Sequence, residues 1–344
     1  MPLSRRRLIF DVLATGGVGL AGCKARTKAS VGPLTLNPDA LSRGFAPLAE
    51  RARPGRFNLG VQIVGQAPSW CADPSGEYPM QGVGKAPLAA MALAEIDAGR
   101  LTLNSRITIT EVDLSPPPSR INTAFTGGPM SLPVADLIAL TLQNGDNTAA
   151  DVLMSQVGGP GAVTRWLTAK GMGDMRLGLY ERETQTRLAG LPPFRAAWKD
   201  EADWAAARNA VAIADRESAA RFYLDDPPDR CTATAALSFL NLLANGNLLS
   251  PTSTGFMMRL MRGTREGLAR LHAGLPPGAT LAHRPGAAAT TLGLTPATND
   301  IGLVTLADGR QFAVAGFLMG ATATQAQRDT LFGDAMRMIV GAFA

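Results

Sequence analysis

The spacing of apolar residues changes several times along the chain, and each change predicts a new element. Apolar residues recur at helical spacing over residues 41–49, and residues 57–64 then alternate between apolar and polar with a period of two. A turn is predicted at residues 72–76, and an Ala- and Leu-rich helix follows over residues 85–99. Further helical patterns span residues 132–143, 147–157, 162–170, 204–223, 232–244, 252–261 and 324–343, and further strands span 280–283, 300–306 and 311–319.

The order of these elements predicts one α+β domain rather than two domains in series. Strands lie near both ends of the chain, and they must pair with each other to avoid open sheet edges. We therefore expect an antiparallel sheet flanked by helices, with an all-helical lobe inserted at about residues 87–255. The domain is expected to span residues 41–344, after a polar tether at residues 23–40.

The N-terminus has the pattern of an export signal. Arg5, Arg6 and Arg7 precede an apolar, Gly-rich run at residues 12–21 that is too short and too interrupted to span a bilayer. The arginines lie where a twin-arginine signal has them, and the run ends in L-A-G-C, which resembles a bacterial lipobox. We predict removal of residues 1–22, acylation of Cys23, and a protein in the periplasm that is lipid-anchored to a membrane of the cell envelope. The alternative is a simple secretory signal in which Cys23 is incidental.

Composition and charge exclude several classes of protein. The 344 residues are 46% hydrophobic and 18% charged, which is enough apolar material for a large buried core. The net charge is +5, and removal of residues 1–22 reduces 33 basic and 28 acidic residues to 30 and 27, so no charge pattern indicates nucleic acid binding. The chain has three Cys and two His, none at metal-ligand spacing, and we predict no metal site and no cofactor.

Two cysteines remain besides Cys23. The predicted export compartment permits a disulfide between Cys71 and Cys231. We favour two unpaired thiols in the core, because a mature chain of this length does not need a cross-link for stability.

Residues 79–85 read P-M-Q-G-V-G-K at the predicted start of a helix, and residues 95–101 read E-I-D-A-G-R-L. These segments resemble the class A serine β-lactamases, especially the branch that reads P-M-Q-S-V-F-K. The resemblance runs from about residue 56 to the C-terminus. It implies the fold shared by serine β-lactamases and penicillin-binding proteins, and it implies a cleft in which the family forms an acyl-enzyme.

The three motifs of the family are present, but each has lost its hydroxyl group. The resemblance assigns Lys85 to the motif lysine, whereas Gly82 stands at the nucleophilic serine. In the second motif, S-D-N, Gly145 replaces the serine that passes a proton to the leaving nitrogen. No Ser lies within three residues of either glycine, so a shift in register does not restore one. The third motif, K-T-G, is occupied by Arg284, Pro285 and Gly286.

The resemblance also implies roles for residues that remain. Glu181 matches the general base of the family, and Gln185 matches its partner in positioning water. Asp146, Asn147 and Gly286 match positions that line the ligand site. Gly82 and Ala287 stand where two backbone N–H groups form the oxyanion hole, and Arg284 offers a cation for a ligand carboxylate.

Each retained residue also has a structural interpretation. Lys85 and Glu181 are equally consistent with a buried ion pair that has no chemical role. Asp146 and Asn147 are typical of a helix N-terminus, where both residue types bind free N–H groups. Arg284 on a strand edge is most simply a solvated charge.

Two further features are interpreted as packing. His283 has no evident carboxylate partner in the sequence, so we expect it to pack rather than to act in catalysis. The segment 198–223, with Trp204 and Phe222 near its ends, is predicted to add to the core rather than to bind a partner.

These observations predict an exported pseudoenzyme with the β-lactamase fold. We expect it to be a monomer and to bind a β-lactam, a peptidoglycan peptide or a protein partner without acylation. One alternative is an active hydrolase, in which Glu181 activates water directly or another nucleophile acts. Another is a structural envelope lipoprotein, which predicts an empty or occluded cleft.

Overall fold

The computed structural model describes residues 32–343, so the predicted export signal and Cys23 lie outside the described residues. Within that range no helix is both long enough and apolar enough to cross a membrane. The helices are α1 (Pro38–Arg51), α2 (Lys85–Asp97), α3 (Arg120–Ala124), α4 (Val134–Gln143), α5 (Asn147–Gln156), α6 (Pro160–Ala169), α7 (Glu181–Leu188), α8 (Glu201–Ala210), α9 (Ile213–Asp225), α10 (Ala233–Ala244), α11 (Pro251–Arg262) and α12 (Gln325–Gly341). The strands are β1 (Arg56–Ile63), β2 (Trp70–Cys71), β3 (Glu77–Pro79), β4 (Arg106–Ile109), β5 (Met130–Pro133), β6 (Met175–Leu177), β7 (Asp229–Thr232), β8 (Thr280–Ala287), β9 (Thr295–Thr305) and β10 (Gln311–Ala321).

The main sheet joins the two ends of the described chain. Its five strands run in the order β2-β1-β10-β9-β8, and every neighbouring pair is antiparallel. β1 pairs with β10 from Arg56 opposite Met319 to Ile63 opposite Phe312. The prediction that the terminal strands pair is therefore confirmed, as is the α+β class.

The period-two pattern of β1 determines which side of the sheet α1 and α12 cover. Phe57, Leu59 and Val61 are buried in the cluster that contains the apolar residues of both helices. α12 approaches β10 closely at Gly316, where an added Cβ would lie 2.7 Å from Cε1 of Phe332. Burial of this face explains why alternate residues of the strand are apolar.

The other face of the sheet packs against the lobe, which has α2 at its centre. Leu88, Ala89, Ala90 and Leu93 of α2 are almost fully buried, because the helix contacts α4, α5, α6 and α11. A helix surrounded by others is apolar on all sides, as the sequence of α2 is. The lobe is not all-helical as predicted, because residues 87–255 also contain short strands: β4 pairs with β5, and β6 and β7 form a small sheet with β3.

Two sequence predictions about the segment that ends at residue 223 are corrected. The single helix predicted over residues 204–223 is two helices, because Val211 has an extended backbone with ψ 134° and ends α8. Trp204 packs against Phe194 and Trp198 as expected, but Phe222 is 68% exposed and does not belong to the core.

The two cysteines in the described chain are free thiols. Cys231 is fully buried and Cys71 is half-buried, so the preference for unpaired thiols is confirmed. They lie on different strands, with Cys71 on β2 of the main sheet and Cys231 on β7 of the small one.

Candidate functional site

A strained turn carries the first predicted site position. Residues Gln81–Gly84 form a 3₁₀ turn that leads directly into α2. Gln81 has φ +48°, a left-handed conformation that is unfavourable for a residue with a side chain. Its backbone N–H donates to Asp229 Oδ2 at 2.5 Å, and its side-chain amide donates to the Tyr223 hydroxyl at 2.6 Å. Buried partners behind the turn therefore fix the position of Gly82.

Lys85 begins α2 and forms the buried ion pair that the sequence suggested. Its Nζ lies 2.8 Å from Glu181 Oε1 and donates to Asn147 Oδ1 at 2.7 Å. The amide of Gln185 donates to the other oxygen of Glu181 at 3.1 Å and to Gln81 Oε1 at 3.0 Å. Burial opposes ionisation of Glu181, but Lys85 and Gln185 outweigh it and hold the pKa of this carboxyl below its usual range.

The capping role predicted for Asp146 is confirmed. Asp146 is the N-cap of α5, and its fully buried carboxylate accepts from the backbone N–H of Ala149 at 2.9 Å. It also accepts from the backbone N–H groups of Arg120 and Ile121, at 2.6 and 3.1 Å. Asn147 donates to the carbonyl oxygens of Pro116 and Pro117 while it accepts from Lys85. These two residues hold the start of α5 against the loop before α3.

The interpretation of Arg284 as a solvated charge is wrong. Arg284 is 2% exposed, because β8 places its side chain between the 3₁₀ turn and the end of α4. Its guanidinium donates to the Gly82 carbonyl oxygen at 3.0 Å, to the Leu142 carbonyl oxygen at 2.9 Å and to Glu266 Oε2 at 3.0 Å. Burial lowers the pKa of Arg284, and the Glu266 carboxylate opposes that shift.

The two glycines at the predicted hydroxyl positions both border this guanidinium. A Cβ added to Gly145 would lie 2.6 Å from Arg284 Nη2 and 2.9 Å from either oxygen of Glu266. A Cβ added to Gly82 would lie 3.3 Å from the same Nη2 and 3.0 Å from the Pro285 carbonyl oxygen. Gly145 also has φ +60°, which disfavours any side chain. The charged group of Arg284 therefore takes up the space beside both positions.

β8 approaches the 3₁₀ turn closely at Gly286. An added Cβ there would lie 2.7 Å from the Gly82 nitrogen and 2.6 Å from the Val83 nitrogen, so only glycine fits. This contact brings Gly82 and Ala287, the two predicted oxyanion-hole positions, to one cavity.

The cavity has a volume of about 390 Å³, within the usual range for a small-molecule site. Asp146 is buried beneath its wall and does not line it. The other predicted site residues of the described chain all line it: Gly82, Lys85, Gly145, Asn147, Glu181, Gln185, Arg284, Gly286 and Ala287.

Comparison with known proteins places this geometry in a family. The sequence model of the β-lactamase enzyme family matches residues 43–343. The extended-spectrum β-lactamase PER-1 of Pseudomonas aeruginosa is 28% identical over 72% of this chain and 69% of its own. β-Lactamase VEB-1 of the same organism is also 28% identical, over 75% of each chain.

The chain belongs to the class A serine β-lactamase family. The structure of a β-lactamase from Chitinophaga pinensis is similar with a TM-score of 0.70 at 26% identity, over 88% of this chain and 98% of that one. The class A β-lactamase of the last common ancestor of Gram-negative bacteria gives 0.70 at 28% identity, over 88% and 99%. Gly82, the position that the resemblance assigns to the serine of the family, lines the cavity beside the buried Arg284.

His283 differs from its sequence prediction in one respect. It is 1% exposed, and its Nδ1 lies 2.9 Å from Asp300 Oδ1 on β9, so it has the carboxylate partner that the sequence did not reveal. It does not line the cavity, whereas its neighbour Arg284 does.

Sequence reasoning missed several lining residues of this class A cleft. Glu266 follows α11 in a loop, and no spacing rule connects it with Arg284, which it neutralises. Trp204 and Arg208 reach the cavity from α8, a helix whose placement depends on aromatic packing rather than on local sequence. The only signal available was the aromatic content of this segment.

Proposed function

We propose that this protein is a catalytically degenerate class A β-lactamase homologue that binds ligands in its cleft without acylation. The main support is the position of Arg284, whose guanidinium lies beside the Cβ positions of both residue 82 and residue 145. A serine hydroxyl at either position would meet a charged group that is already bound to Glu266 and two backbone carbonyls. Loss of a serine nucleophile reduces kcat by up to about 10⁶-fold.

The rival hypothesis, in which Glu181 activates water directly, is less well supported. Lys85 and Gln185 occupy both oxygens of this carboxylate. They also hold its pKa below the usual range, and a general base is most efficient when its pKa lies near the working pH. The open cavity, in turn, favours a binding role over a purely structural one. Candidate ligands are a β-lactam, a peptidoglycan peptide and a protein partner.

Intact-mass measurement after incubation with benzylpenicillin and a cephalosporin tests the absence of acylation. We expect no mass shift, because position 82 carries no side-chain oxygen. A shift equal to the mass of the drug, mapped by peptide analysis to any side chain of this protein, would contradict the proposal.

Restoring the lost groups tests why activity is absent. We expect Gly82→Ser alone to give at most slow acylation, because Arg284 still borders the new hydroxyl and position 145 has none. Gly82→Ser with Gly145→Ser, Arg284→Lys and Pro285→Thr should gain nitrocefin hydrolysis, which should disappear when Glu181→Ala is added. Equal turnover by the single and combined variants would show that Arg284 does not obstruct the site.

We further propose that the protein is exported and anchored through a lipid on Cys23. The support is the Arg5-Arg6 pair and the L-A-G-C sequence that ends at Cys23. Cys23→Ala should move the protein from the membrane fraction to the soluble periplasmic fraction. Unchanged fractionation would exclude the lipid anchor and favour the simple secretory signal.

A further inference from the structure

One cation that lines the cavity differs from the others in having no anion to pair with. The side chain of Arg208, near the end of α8, forms no ion pair and no hydrogen bond with any residue of the range 32–343. Each of the other cations in the lining has a carboxylate within 4 Å: Lys85 with Glu181 at 2.8 Å, Arg270 with Asp329 at 2.9 Å and Arg284 with Glu266 at 3.0 Å.

The Arg208 guanidinium is half-buried and only partly satisfied. Its Nε is shielded from solvent and has no acceptor among the described residues. A shielded N–H group without an acceptor costs free energy, so a ligand that supplies an acceptor binds more favourably. The guanidinium carbon lies 5.7 Å from the centre of the Trp204 ring, and this stacking leaves the edges of the group available for hydrogen bonds.

Trp204 fixes the guanidinium before any ligand arrives. The indole is 6% exposed and packs against Phe194 and Trp198, with ring centres 6.4 Å apart in each pair. Because the stacking partner is rigid, Arg208 loses little conformational freedom when it binds an anion.

The surroundings of Arg208 indicate the chemistry of that anion. A guanidinium presents paired N–H groups that match the two oxygens of a carboxylate. The cavity wall also includes the apolar side chains of Leu188, Ala189 and Ala287. We infer that Arg208 and Trp204 form a subsite for a small organic anion that carries a carboxylate next to an apolar group. This inference rests on the proposed function in one respect, namely that the cleft binds ligands.

One acidic residue on α8, Glu201, also lines the cavity. It begins the helix two turns before Arg208, about 10 Å away along the axis, and it is exposed. A carboxylate in solvent at about the Debye length is largely screened, so Glu201 does not cancel the attraction of Arg208 for an anion.

Isothermal titration calorimetry with benzoate and its neutral analogue benzamide tests the subsite in the purified protein. We expect benzoate to bind and Arg208→Gln to weaken it by at least about tenfold, which is the effect of losing a charge-assisted hydrogen bond. Benzamide should bind at least about tenfold more weakly than benzoate to the unchanged protein. Arg216→Gln is the matched control, because Arg216 on α9 also has a shielded Nε without a partner but does not line the cavity.

Three results would overturn the inference: no benzoate binding, equal binding by Arg208→Gln, or equal loss in Arg208→Gln and Arg216→Gln. Thermal unfolding of both variants shows whether a loss of binding reflects loss of fold. The test is separable from that of the proposed function. A penicillin adduct would overturn the pseudoenzyme proposal and leave the benzoate result standing, whereas failure of benzoate leaves the absence of acylation untouched.

Discussion

Two halves of the candidate site, taken with the residues buried behind it, differ in how far they match the predicted family pattern. The retained half matches the family residues in the alignment that the resemblance implies, and it comprises Lys85, Asp146, Asn147, Glu181 and Gln185. The substituted half comprises Gly82, Gly145, Arg284 and Pro285. In the retained half each polar group has a partner that the fold itself needs, such as the N–H groups at the start of α5. In the substituted half the residues fit one another instead, since a larger side chain at either glycine meets Arg284.

This difference separates retention for structure from retention for chemistry. Asp146 and Lys85 are buried, and removing one partner from a buried polar pair leaves the other unsatisfied. Such residues persist in the absence of any reaction. Gly82 and Gly145, by contrast, border a single guanidinium, so we expect substitutions at residues 82, 145 and 284 to be energetically coupled.

The largest expected effect is on the retained half. Asp146→Ala removes the acceptor of three backbone N–H groups, of Arg120, Ile121 and Ala149, and of the Ser119 hydroxyl. We expect a loss of about 4 kcal/mol in the free energy of unfolding. Urea denaturation measures it.

The control for this variant is Asp136→Ala, because Asp136 also lies in the first turn of a helix but is exposed. It should cost less than about 1 kcal/mol. Similar losses in the two variants would show that the cap at α5 has no special importance.

The next effect concerns the buried ion pair. Lys85→Met leaves Glu181 ionised and without its cation, and we expect a loss of about 3 kcal/mol in the free energy of unfolding. Adding Glu181→Gln should recover at least half of that loss, because the remaining group is then neutral. If the double variant loses as much stability as Lys85→Met or more, the ion pair with Glu181 does not explain why Lys85 stabilises the protein.

A third effect is pH-dependent and involves the groups that fix the 3₁₀ turn. Burial raises the pKa of Asp229 to about 7, from its ordinary value of 3.8. Between these pH values the folded protein keeps a proton that the unfolded chain has lost, so stability falls as pH rises from about 4 to 7 and then levels. Asp229→Asn should make this fall in stability clearly smaller, as measured by urea denaturation across that range. The same slope in both proteins would contradict the assignment.

The smallest effect tests the substituted half directly. In a double-mutant cycle, Gly145→Ala should destabilise the protein less when Arg284→Met is already present, with a coupling energy of about 1 kcal/mol. The same cycle with Gly82→Ala should give a smaller value, because its added Cβ lies 3.3 Å from Nη2 rather than 2.6 Å. Additive changes in both cycles would show that the glycines and Arg284 changed independently.

The fold and the retained half of the site could be predicted from the sequence. The period-two pattern of residues 57–64 predicted β1, and the Ala-rich run predicted α2 with Lys85 at its start, because both patterns follow from local geometry and burial on one side. The cap at Asp146 was also predictable, since an Asp before a helical run binds N–H groups a few residues away. The resemblance to the family added Glu181 as a partner of Lys85, although no spacing rule connects the two residues.

The contacts in the substituted half depend on the tertiary structure. Arg284, interpreted as a solvated charge, is buried against Glu266 and two carbonyl oxygens that come from distant parts of the chain. Asp300 became the partner of His283 only because β9 pairs with β8. Local sequence records the propensity of a segment and the faces that it buries, whereas the partner of a charged side chain depends on which segments meet. For this reason the sequence by itself determined that residues 82 and 145 are glycines at the predicted motif positions, and only the packing of β8 against the 3₁₀ turn decided which groups lie beside them.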